Sequence, residues 1–183
     1  MTKGLDFTAE DIELMLANLD AFSEAEALEI DRMVDELNNR TANASAYDDL
    51  IEFCKLMMPE FIVGKHHRIL ADMLMAIERG EKDRICVNIP PRHGKSQLVS
   101  IFYPAWFLGR NPNKKVMMVS HTTDLAVDFG RKVRNLIASD DYRAVFPTVK
   151  LAQDSKSAGR WNTNVGGEYY ACGIGSALAG RGA

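Results

Sequence analysis

Apolar residues return every three or four positions through the first eighty residues of the chain. Ile12, Met15, Leu16 and Leu19 follow Thr8, an N-cap candidate with Asp11 three positions on. A second helix opens at Ser23 and carries Leu28, Ile30, Met33, Val34 and Leu37 on its apolar side. The polar stretch 38–45 breaks that rhythm and reads as a linker. A third helix is expected over 47–58, stopped by Pro59. A stronger one spans 65–79, with Ile69, Leu70, Met73, Leu74 and Ile77 on one face and Gly80 as its terminator.

Beyond Gly80 the pattern changes. Residues 84–89 form a short β-rich run, and 95–108 return to helical spacing despite Pro104, which kinks the helix or ends it early. A second strand is expected over 115–120. A helix then runs over 122–138, with Leu125, Val133, Leu136 and Ile137 turned inward. Residues 161–163 and 168–172 read as strands around a turn at Val165, Gly166 and Gly167. Strand, helix, strand, helix and further strands predict an α/β fold whose sheet has parallel members flanked by helices. An N-terminal helical arm, 1–45, precedes the α/β domain, 46–183.

Charge sharpens that division. Residues 1–60 hold 4 Lys and Arg against 15 Asp and Glu, a net −11; residues 61–183 hold 18 against 10, a net +8. An acidic front and a basic body suggest different partners, with DNA or nucleotide phosphate open to the basic part. The acidic helices are either a docking arm for another subunit or a cap on the chain's own core. Cys54, Cys86 and Cys172 are too scattered for a zinc motif and read as reduced thiols. No stretch reaches the roughly 18 apolar residues of a membrane span, and the acidic N-terminus lacks a signal-peptide layout.

One segment carries chemistry. Gly94, Lys95 and Ser96 stand between the β-rich run and the helix that follows. A strand, a tight turn and a helix head make a phosphate cradle, because backbone N–H groups and the positive helix end face the oxygens. Lys95 can reach the β- and γ-phosphates of ATP, Ser96 can hold Mg²⁺, and Gly94 removes a Cβ from the line of approach. Ile89 stands where the usual first glycine of such loops would be, followed by Pro90 and Pro91. An ordinary strand-to-helix turn is the alternative.

The run Ile89, Pro90, Pro91, Arg92, His93, Gly94, Lys95, Ser96 resembles the deviant phosphate-binding loop of phage terminase large subunits. His66, His67 and Arg68, the stretches 102–106, 108–112 and 120–126, and the segment from Trp161 to the Gly180-Arg181-Gly182 turn are similar to that family as well. The likeness covers about residues 60–183. It implies a P-loop ATPase that couples ATP hydrolysis, with Mg²⁺, to packaging of double-stranded DNA into a procapsid. The implied partners are a terminase small subunit, a portal protein and further copies in a ring, in the host cytoplasm. Nucleotide would meet Pro91, Arg92, His93, Gly94, Lys95 and Ser96. Lys95 and Arg92 would be catalytic, Arg92 acting on the γ-phosphoryl charge, and His67 would border the adenine. The family continues with an acidic strand and a nuclease domain, so a chain ending at Ala183 is expected to hydrolyse ATP poorly alone.

Alternatives stay open at each position. Arg92 also fits a surface salt bridge, His93 loop packing or a base, and His66 and His67 a helix surface or the core. Ser120 and Thr122 either cap the following helix or couple ATP to DNA. Arg131, Lys132 and Arg134 either meet DNA phosphate or form a solvated face. A helicase-like DNA translocase and a non-catalytic nucleotide-binding or docking module are the competing functions.

Overall fold

A computed structural model describes residues 14, 17, 22–153 and 157–175. The helix expected after Thr8 lies outside the described residues. Contacts divide the chain into two compact units, 1–44 and 45–183.

Helix α1, Glu24–Asp48, spans that boundary. Ser23 starts it: its backbone N–H and its hydroxyl both donate to Glu26 Oε2, at 2.9 and 2.7 Å. The expected linker at 38–45 is helical instead. Those residues lost their apolar rhythm but contain no Gly or Pro, and the Arg40–Glu36 pair spans one turn. Loss of amphipathicity marked a solvated helix face, not a chain break. The true break is at Asp49, whose side chain accepts from the Ile51 and Glu52 amides and so caps α2, Leu50–Met57. The expected helix 47–58 is therefore divided between α1 and α2.

Helix α3 is Lys65–Glu78, and Gly80 follows it with φ 75°. Its buried face is His67, Leu70, Ala71, Leu74, Met75 and Ala76. Ile69 and Met73, expected inward, are exposed; alanines permit close packing and so turned the face. Helix α4 comprises Lys95–Gln97, a π-helical turn at Leu98–Phe102, and Tyr103–Arg110. Pro104 neither ends nor breaks it. The Tyr103 amide bonds to the Leu98 carbonyl, five residues back, and this wider turn accommodates the proline ring.

Strand β1, Lys115–Ser120, leads to α5, Thr123–Ile137, then to α6, Asp140–Val145. Thr122 caps α5 by accepting from the Leu125 amide, and Leu125, expected inward, is exposed. Strands β2, Arg160–Asn162, and β3, Glu168–Gly173, are antiparallel, while β1 and β3 are parallel with Lys115 opposite Glu168. The described residues thus form a mixed α/β fold of six helices and a three-stranded sheet ordered β1-β3-β2. Residues 84–89 belong to no strand. Their side chains still alternate, with Ile85, Val87 and Ile89 half-buried and Arg84, Cys86 and Asn88 exposed.

The core of the second unit joins α2, α3, α4, α5 and the sheet. Phe53 meets the rings of Phe102, Tyr142 and Phe146, and Trp161 stacks on Tyr169 with centroids 4.8 Å apart. Arg110 and Asn111, at the end of α4, both bond Glu78 Oε1 of α3, and the Arg110 guanidinium lies over Tyr47 and Trp106. These bonds hold α3 and α4 side by side, which sets the loop between them. No described helix is long and apolar enough to cross a membrane.

Candidate phosphate-binding site

The loop 89–94 connects the extended run 84–89 to the head of α4. Pro90 and Pro91 restrict the backbone at its start. Arg92 and Gly94 then take left-handed conformations, φ 66° and 71°. That conformation costs an ordinary residue about 1–2 kcal/mol, and only glycine adopts it freely. Gly94 is the N-cap of α4; its carbonyl accepts from the Leu98 amide, and no side chain caps this end. The amides of Lys95, Ser96 and Gln97 stand in the helix's first turn, where no carbonyl of the helix can accept from them.

A cavity of about 390 Å³ opens here, lined by residues 89–92 and 94–97. Pro91, Arg92, Gly94, Lys95 and Ser96 all stand on its wall. Arg92 and Ser96 are exposed and Lys95 is half-buried. Lys95 and Ser96 also reach a second cleft, of about 490 Å³, between Ile85 and Val87 on one side and β1 on the other. The cradle therefore offers unengaged helix-head amides, an amine, a guanidinium and a hydroxyl. That set suits a phosphate chain.

His93 is exposed, and its Nδ1 lies 2.8 Å from the Pro91 carbonyl, so it packs within the loop. His67 is 6% exposed and not on the cavity wall. Its Nδ1 accepts from the Gly64 amide at 3.1 Å, and its Nε2 lies 2.9 Å from the His93 carbonyl. Burial holds the imidazole below the usual histidine range; its bond to the His93 carbonyl opposes this, and neighbouring His66 and His93 add to it. A Cβ on Gly94 would come 2.4 Å from His67 Nε2, so this glycine answers to His67 as well as to the turn. The His67–His93 contact escaped sequence reasoning. Its signal was a histidine three residues after Gly64, the position where Glu or Gln closes a capping box.

Thr122 serves as a helix cap, while Arg131 and Lys132 pair with Asp128 on their own helix. No group of three or more His, Cys, Asp or Glu placed to hold a metal occurs among the described residues. Comparison with protein families, with curated proteins and with solved structures finds no match to this chain.

Proposed function

We propose that this chain is the nucleotide-binding part of a viral DNA-packaging ATPase. The observation that carries nucleotide binding is the head of α4, where a left-handed Arg92–Gly94 turn and an uncapped first helical turn border a cavity with Lys95 and Ser96. Lys95 would bind the β- and γ-phosphates, the amides of the first turn would take further phosphate oxygens, and Arg92 would meet charge developing on the γ-phosphoryl group. The site fits Mg²⁺ through the exposed Ser96 hydroxyl together with phosphate oxygens and water, the sparse protein ligation this ion usually has. When bound, Mg²⁺ would neutralise phosphate charge. The packaging role, with double-stranded DNA, a small subunit, a portal and a ring of copies as partners in the host cytoplasm, rests on the resemblance of residues 60–183 to terminase large subunits.

Calorimetric titration with Mg–ATP tests the site. The chain should bind, and Lys95→Ala should weaken binding at least about tenfold, since a hydrogen bond to a charged group contributes about 1.5–3 kcal/mol. Equal affinity in the two proteins, both melting cooperatively, would remove Lys95 and this loop from the nucleotide site.

A further inference from the structure

We infer that His67 is a positioning residue that sets the phosphate loop before any ligand arrives. A neutral imidazole has one donor and one acceptor nitrogen. Nδ1 already accepts from the Gly64 amide, so Nε2 carries the proton and donates it to the His93 carbonyl, 2.9 Å away. The peptide joining His93 to Gly94 is trans and planar. Its N–H and C=O point in opposite directions. Holding the carbonyl toward His67 therefore turns the Gly94 amide away from α3. It joins the first amides of α4 in a set not used by the helix. The imidazole itself has little freedom: it is buried, and its ring packs against Phe61, at 5.0 Å between centroids, and His66, at 3.9 Å.

His66 Nε2 approaches the same His93 carbonyl at 3.2 Å and lies 3.1 Å from His67 Nε2. Two converging imidazoles also suggest a metal site, but the tautomer opposes it. A metal on His67 Nε2 would displace its proton while Nδ1 still faces an amide donor, leaving an imidazolate. His67 instead donates to the carbonyl, with His66 beside it on the same side. A loop fixed in this way loses less conformational freedom on binding than a free one, so the contact contributes to affinity without touching the ligand.

This role rests on the nucleotide-binding proposal, and the experiment separates the two. His67→Gln retains an acceptor and a donor, whereas His67→Leu retains bulk and lacks both. Mg–ATP affinity is measured for each by calorimetry, with thermal melts, and the ring tautomer of the unsubstituted protein is read from ¹H–¹⁵N correlations near neutral pH. His67→Leu should weaken Mg–ATP about tenfold while melting cooperatively, His67→Gln should recover most of that loss, and the ring proton should sit on Nε2. The inference is overturned if His67→Leu binds as the parent does, if His67→Gln folds yet binds no better than His67→Leu, or if the proton sits on Nδ1. Should His67→Leu fail to fold, the tautomer and His67→Gln decide alone: near-parental affinity supports the inference, and a folded protein with affinity reduced about tenfold ends it. A parent protein that does not bind Mg–ATP defeats the nucleotide proposal, and the tautomer still decides whether His67 holds the loop.

Discussion

Arg92 holds a backbone conformation that glycine would adopt without strain. Positive φ at a non-glycine residue stores strain, and such strain concentrates at binding loops. Two prolines before it and Gly94 after it confine the turn, and His67 secures the next carbonyl. His67 also gives the fold a pH dependence. Its folded-state pKa lies below the ordinary value, so the unfolded chain binds the extra proton first. Its contribution to stability is complete above about pH 6.5 and is lost as the pH falls through the lower folded value. Denaturant melts of the parent and His67→Gln between pH 5 and 7.5 check this: the parent should lose more stability on acidification than the variant. Parallel pH profiles would show that other groups govern that range. The placing of Gly94, Lys95 and Ser96 at the head of a helix was legible from spacing alone. That of His67 toward His93 was not, because 26 residues separate them and only the packing of α3 beside the loop brings the imidazole to the carbonyl.

Elements were legible where one periodicity held throughout. α3, α5, β1 and β3 fall within a residue or two of their expected bounds. α6 escaped notice; six residues are too few to show a period, and its local signs were Ser139 capping the Tyr142 amide and the acidic first turn of Asp140 and Asp141. Residues 84–89 show what a period-two pattern can and cannot establish. The run was expected as β-rich, and its side chains do alternate between half-buried and exposed, but a ladder needs a neighbouring strand, and no backbone hydrogen bond joins this run to one among the described residues. Its outward face supplies a prediction. Cys86 is exposed, whereas Cys54 and Cys172 are buried, and burial pushes the Cys54 thiol well above the usual range. An aromatic disulfide reagent should therefore titrate one thiol rapidly under native conditions and the other two only on unfolding. Peptide mapping should place the first label on Cys86. Rapid labelling of Cys54 would contradict the α2 packing.

At the scale of the whole molecule, the described core cluster lies entirely at or beyond Ala46. Removing residues 1–44 should therefore leave a remainder that melts cooperatively, with a midpoint within a few degrees of the parent. Loss of 1 kcal/mol shifts a domain of this size by only about 2–4 °C. Aggregation, or a fall of roughly ten degrees or more, would mean that the acidic front belongs to the core after all. The sequence by itself determined that the second unit mixes helices with strands, that a glycine–lysine–serine turn opens a helix, and that the front is acidic and the body basic. These are properties of neighbouring residues, carried by spacing, composition and turn chemistry. Only the tertiary structure decided which strands pair, which face of α3 is buried, how a π turn absorbs Pro104, and that His67 meets the 89–94 loop. Each of these depends on groups distant in sequence meeting in a packed interior or across a hydrogen bond, and local periodicity carries no record of such meetings.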